Sequence, residues 1–242
     1  MKLSLVPLLA ILTLAFGVFI TAKARKDRSI SGAEARSVYF LVLAFAVWTV
    51  ILIALGIDGI HVALMDQVPF LWQSGIPVTV LFINFILSRN LRRALHGIAS
   101  STPQHWLVFF QALRIGALGG VLKGMQGQIT SSYVLWIGIP DFLFGVSAFL
   151  VGWLLLREAV SKSFLVVWGL IGASLILLPT FPLMNYWMNE PGFVFIFEFP
   201  MVMAPGIVVP MLIFFNLLLA WGAFQSTEGR EADSIEDSET PS

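Results

Sequence analysis

Apolar residues come along this chain in seven long runs separated by short polar segments. The runs are approximately Leu3 to Ala22, Val38 to Ile57, Phe70 to Leu87, Trp106 to Leu122, Val134 to Leu156, Phe164 to Phe181 and Phe199 to Phe224. Each is about 17 to 25 residues long, the length at which an α-helix rising ~1.5 Å per residue covers ~30 Å of hydrocarbon. No segment alternates apolar and polar positions as the strands of a membrane barrel do. The pattern predicts an all-α polytopic bundle of seven transmembrane helices over residues 1–224. The remaining residues 225–242, ending "STEGREADSIEDSETPS", are acidic, Ser-rich and without hydrophobic period, and read as a disordered tail.

Composition agrees with this, and charge adds a direction. Only 12% of the 242 residues are charged, against about a quarter in a soluble domain. The net charge is zero, so the partner to expect is the lipid bilayer and not nucleic acid. Cysteine is absent, which removes disulfides, thiolate metal sites and thiol nucleophiles. Basic residues fall in alternate segments: Lys23, Arg25, Lys26, Arg28 and Arg36, then Arg89, Arg92 and Arg93, then Arg157 and Lys162, then Arg230. The other side holds only Lys2 and Lys123 and carries the acids Asp58, Asp66, Glu190 and Glu198. The positive-inside rule then predicts an external N-terminus and a cytoplasmic C-terminus in a cell (inner) membrane. The first run also fits a signal peptide ending at Ala22 and Ala24, but cleavage there would invert every later loop, so a retained helix is expected. After it, "SGAE" at residues 31–34 predicts a capping box that starts the second helix.

The fourth run carries the unusual residue, Arg114. On insertion scales an arginine at this depth costs ~2.5 to 3.5 kcal/mol, so it requires a partner, a water-filled cavity or an interface. Counted at ~1.5 Å per residue, Arg114 and Asp141 of the fifth run lie at matching depths of ~11 to 12 Å from the same membrane face. Antiparallel neighbours joined by a short loop pack together, so an Arg114 to Asp141 ion pair is expected. An alternative places Pro140 and Asp141 in the first turn of a later-starting helix, with residues 129–139 as a re-entrant segment. Gly116, Gly120 and Gly124 form a strip on the opposite face of the fourth helix, a surface for close helix packing.

Further polar residues define two levels. Gln73, Gln126, Gln128, His61, Asp58, Asp66 and Glu198 are expected around the outer mouth, above Arg114 and Asp141. Asn84, Gln111 and Asn216 lie toward the cytoplasmic ends, where amides hydrogen-bond between helices. The seventh run contains Pro200, Pro205 and Pro210, each of which removes an amide donor and kinks a helix, leaving carbonyls for neighbours or a ligand.

Several chemistries lack their residues. His61, His96 and His105 all fall in loops or at helix ends, so no haem axial pair is expected. No lysine lies in the last helix for a retinal Schiff base. Ser147 has no helical histidine facing it, and Asp141 has no second buried acid for a carboxylate dyad. Neither a phosphate loop nor metal-ligand spacing occurs. No cofactor, metal or catalytic function is expected.

The stretch "LRIGALGGVLKGMQGQI" followed by "WIGIPDFLFG", residues 113–145, resembles a pattern in uncharacterised bacterial multi-pass membrane proteins of about seven helices. There an arginine opens a glycine-containing helix, a Gln-Gly-Gln turn follows, and a Gly-Asp pair begins the next helix. The matching positions are Arg114, Gln126, Gly127, Gln128, Asp141 and Gly145, and the proline-rich last helix is similar too. Pro140 stands where glycine is usual and Asn216 where histidine is frequent. The likeness covers about the last half of the chain and implies a bacterial membrane protein, without naming an activity. Taken together, the residues predict a transporter or binding protein for a small molecule or ion, with Arg114 and Asp141 at the base of an outward-facing vestibule. The alternative is a structural, assembly or sensory membrane partner, with protein partner and homo-oligomer both open.

Overall fold

Where the sequence is apolar the backbone is helical, because in hydrocarbon each amide must find its acceptor within its own segment. The structure, a computed structural model, describes residues 4–64, 72–187, 190 and 192–239, with side chains at all of these except 181–187 and 227–239. Its long helices are α1 (Val6–Lys26), α2 (Gly32–Ile57), α4 (Trp72–Leu87), α5 (Arg89–Ser101), α6 (Gln104–Met125), α7 (Ser131–Leu156), α8 (Lys162–Trp187) and α9 (Val209–Glu239). A single turn, α3 (Ile60–Ala63), follows α2. Among the described residues six helical segments are long and apolar enough to cross a membrane, and the bent pair α4 and α5 makes seven only if the two count as one span. No strand occurs among the described residues. The expected capping box is present: Ser31 N donates to Glu34 Oε2 at 2.7 Å and Glu34 N to Ser31 Oγ at 3.3 Å.

The third run departs from the expectation of a straight span followed by a loop. Helix α4 has 16 residues, and α5 leaves it at 104°. Two local devices hold the corner. The Ser88 hydroxyl caps α5 by accepting from Leu91 N at 3.1 Å, while the Arg92 guanidinium donates to the last carbonyls of α4, Phe85 O at 2.7 Å and Ile86 O at 2.5 Å. Helix α5 is amphipathic: Leu91, Ala94, Leu95 and Ile98 are buried, and Arg89, Arg93 and His96 are exposed. It lies across the end of the bundle that carries Lys23 and Arg157, packed on α1, α2 and α9. This basic end is therefore floored by a helix, where the sequence pattern suggests only a charged loop.

At the centre stands the last span, Ala204–Ser226, 61% of which is buried against 22–39% for the other five. It begins later than the Phe199 expected. A 3-10 helix (Phe193–Phe197) and a turn containing Pro200 precede it, and a π-helical turn (Ala204–Val208) leads into α9. Pro200 thus kinks no helix, whereas Pro205 and Pro210 sit in the opening turns. Pro210 has no amide to offer the carbonyls four and five residues before it. Those two carbonyls are taken by neighbouring helices: Trp48 Nε1 donates to Gly206 O at 3.1 Å and the Ser74 hydroxyl to Pro205 O at 2.5 Å. The prolines thereby tie α9 to α2 and α4. Beyond the span α9 continues as helix to Glu239, into the acidic stretch read as a tail from the sequence.

Candidate functional site

Asp141 lies about ten residues into α7 and not at its start. The helix begins at Ser131, passes through a π-helical turn (Val134–Gly138) and continues as α-helix from Ile139. The wider turn precedes Pro140, which lacks the amide that would close a regular one. Residues 131–139 are consequently helical, and the re-entrant alternative does not hold. On the antiparallel neighbour α6, the residues Gln111–Ala117 tighten into a 3-10 helix around Arg114.

These two irregularities face each other. Arg114 Nη1 donates to Asp141 Oδ1 at 2.5 Å, forming the ion pair that the depths predicted. Nε donates to Gln111 Oε1 at 2.9 Å, and Nη2 to Gly172 O of α8 at 2.9 Å. The guanidinium carbon stands 5.1 Å from the centre of the Phe144 ring. Gln111 is itself anchored, Nε2 donating to Leu212 O of α9 at 3.4 Å. One arginine thus connects α6, α7, α8 and, through Gln111, α9. Charge-assisted bonds of this kind are what offset the desolvation of a buried cation.

Glycines make the approach close enough. A Cβ on Gly145 would stand 2.7 Å from Ile115 N and 2.9 Å from the Arg114 carbonyl carbon, both backbone atoms. The strip on α6 plays a more divided role than the continuous packing face expected of it. Gly116 receives Leu9 of α1 and Gly124 receives Val134, while Gly120 meets nothing within 4 Å and borders a cavity.

That cavity, about 220 Å³, opens between α1, α6, α7 and the start of the last span. Arg114, Asp141, Gly120, Lys123 and Tyr133 line it together with aliphatic side chains. The two members of the ion pair face it unequally. The Arg114 side chain is 0% exposed and the Asp141 side chain 11%. Asp141 Oδ1 is taken by the arginine, and Oδ2 has no donor among the described residues. The cavity therefore ends on one available carboxylate oxygen, its charge already balanced from behind. Such a surface accepts a hydrogen bond. Ser147, which does not line this cavity, donates to Phe144 O at 2.7 Å and accepts from Trp168 Nε1 at 3.3 Å.

The remaining candidates separate into other places. Gln73 is buried away from the pair: Nε2 lies 3.4 Å from Nδ1 of the buried His61, whose Nε2 lies 3.3 Å from Leu52 O. Since a carbonyl only accepts, His61 carries its proton on Nε2, and Gln73 is the donor at Nδ1. Burial holds the His61 imidazole below its ordinary pKa of 6.5. Gln126 and Gln128 are exposed on the α6 to α7 turn, bonded to each other at 3.0 Å, and Glu198 and Asp58 are exposed as well. Asp66 lies outside the described residues. Asn84 bonds within its own helix to Val80 O at 2.8 Å, so of the three inner amides only Gln111 reaches across. Asn216 is wholly buried against Gly169 and Gly172, with neither side-chain polar atom hydrogen-bonded.

Gln111 and the Gly172 carbonyl were hidden in the sequence as partners of Arg114. The i, i+3 spacing of Gln111 and Arg114 is the one signal that points to the first; a backbone acceptor leaves none. No group of three or more metal-ligating side chains occurs among the described residues. No family model, curated protein or solved structure matches this chain.

Proposed function

We propose that this chain is an integral membrane transporter or binding protein for a small molecule or ion, and that the cavity ending on Asp141 is its site. The observation that carries the reading is the unequal exposure of the pair: Arg114 is sealed and Asp141 meets the cavity. Intramembrane charges that face a cavity are the common mark of ligand and ion pathways. Arg114 then holds and balances the acid, and Asp141 makes the contact, a narrower assignment than a shared role for both. In this reading the positive-inside rule puts the basic end in the cytoplasm and the mouth of the cavity outside. The protein belongs in a cell membrane of bacterial type.

Because the chain has no cysteine, single-cysteine reporters test it cleanly. Gly120→Cys has free space around its Cβ and should react with a membrane-impermeant thiol reagent applied to the outside of intact cells. Ala148→Cys, fully buried on α7, should not. A silent Gly120→Cys in a folded protein would mean that the cavity is closed to that side, and the reading fails.

The clamp of Arg114 on three helices favours a second reading, a structural or assembly partner in which the pair is an internal strut. Gly120→Trp separates the two, since it fills the cavity and leaves the pair in place. In a strain lacking the gene, a transporter so filled loses complementation, and a strut keeps it.

A further inference from the structure

A second cavity, about 300 Å³, adjoins the first. Tyr133, Ile137, Ile176 and Val209 line both, so one wall of side chains separates them. Its other walls come from α4, α8 and α9 and are almost wholly apolar. The Ser74 hydroxyl donates to Pro205 O and the Thr180 hydroxyl to Ile176 O, each at 2.5 Å, which leaves neither proton for a ligand. This second space also reaches the outer surface of the helix bundle. Val78 of α4, Leu177 of α8 and Leu217 of α9 border it and are 53%, 42% and 47% exposed, within apolar helices long enough to span a bilayer or paired as a bent span. Helix α4 packs on the turn before α9, and α8 on α9 itself, with almost no contact between α4 and α8. Among the described residues, a gap is left between these two helices.

Resting on the reading that the cavity over Asp141 is the binding site, we infer that its ligand is a long-chain amphiphile with an uncharged hydroxyl headgroup. The hydroxyl donates to Asp141 Oδ2, and the alkyl or polyprenyl chain lies in the second cavity, having entered between α4 and α8. The headgroup follows from the pair. Arg114 already neutralises Asp141, so a cationic headgroup finds no unpaired acid there and meets Lys123 on the same lining, and a carboxylate would stand against the Asp141 oxygen itself, whereas a hydroxyl proton meets an acceptor that lacks a donor. The chain follows from the lining, since each methylene moved from water to such a wall gains free energy and finds no polar group to desolvate. Each cavity is at or below the lower end of the ~300 to 1,000 Å³ usual for small-molecule sites. Joined past Tyr133, they form one elongated site with a polar end and an apolar end.

The test uses the purified full chain in phosphatidylcholine nanodiscs, photolysed with a long-chain 1-alkanol that carries a diazirine at mid-chain. Labelled residues are read by mass spectrometry. The expected result is saturable labelling of the second cavity, at residues such as Leu177, Ile213 and Leu217. Hexadecanol should compete, and hexadecylamine and palmitate should not. Ile213→Trp, which fills the second cavity without touching the ion pair, should lower labelling by about tenfold, with its melting temperature reported alongside. A short-chain diazirine alcohol should still label the Asp141 cavity in that variant. Labelling that is unsaturable and spread over all lipid-facing helices, while the short probe still finds the Asp141 cavity, overturns the chain assignment and leaves the proposed site standing. Equal competition by amine or palmitate overturns the headgroup assignment. Failure of both probes removes the proposed site itself.

Discussion

Gly145 and Arg114 meet backbone to backbone across α7 and α6: a Cβ on the glycine would stand 2.9 Å from the arginine's carbonyl carbon and 2.7 Å from the next amide nitrogen. Backbone cannot swing aside as a side chain can, so the two helices must separate to admit even a methyl group. Gly145→Ala is expected to cost about 1 to 3 kcal/mol and to lower the melting temperature in detergent. Gly75→Ala, with nothing within 4 Å, should be neutral or slightly stabilising.

Removing one member of the ion pair should be worse than removing both. Asp141→Leu leaves the buried guanidinium without its acid and should cost roughly 3 to 5 kcal/mol, while Arg114→Met combined with Asp141→Leu should recover much of that loss. The exchanged pair, Arg114→Asp with Asp141→Arg, should not recover it. An arginine on α7 would no longer be positioned for Gln111 Oε1 and Gly172 O, which the native side chain also holds. Thermal unfolding of the three variants and the unaltered chain, measured by tryptophan fluorescence, orders them.

Pro210, the Gly206 carbonyl it leaves open and the Trp48 indole make a coupled trio. Trp48→Phe removes the donor to Gly206 O and should cost about 1 to 3 kcal/mol, the penalty of a buried unpaired carbonyl. Pro210→Ala supplies an amide to the same carbonyl from within the helix. In the Trp48→Phe background it should therefore destabilise less than in the wild type, or stabilise. A double-mutant cycle on unfolding free energy gives the coupling, and strict additivity would show that the indole bond does not replace the missing amide.

Acid should weaken the fold through His61. Its folded pKa is depressed by burial below the ordinary 6.5, so between the two values the unfolded chain binds more protons than the folded one. Stability is then fully present above about 6.5 and falls as pH drops through that window toward the folded pKa. Replacing the imidazole by the neutral amide in His61→Gln should flatten this dependence when melting temperature is followed against pH.

The apolar runs were legible because in lipid hydrophobic length and helix length coincide, and six spans follow from them directly. The Arg114 to Asp141 pair was legible because depth counting needs only the helical rise, which the 3-10 turn at Arg114 and the π turn before Asp141 perturb by little. Helix α5 escaped because its arginines mark it as a loop to any scan for uncharged length; the spacing of Leu91, Leu95 and Ile98 was the signal, at a period a span search does not weigh. Glycine spacing misled in the opposite direction. It singled out Gly120, which faces open space, and passed over the packing role of Gly145, whose importance depends on the backbone of another helix.

If the transporter reading holds, helix α5 bears on the path open to a ligand. Its Gly97 is pressed against Ser29 O, where a Cβ would come within 2.7 Å, and its Ala99 carbonyl lies against Gly222 of α9. The basic end is thus plugged by main chain fitted to main chain, not by loops that part easily. Under the proposed reading, a ligand at Asp141 finds no exit through this end in this conformation. In that reading, passage to the other side requires α5, capped by Ser88 and bonded to the end of α4 through Arg92, to move as a single bar.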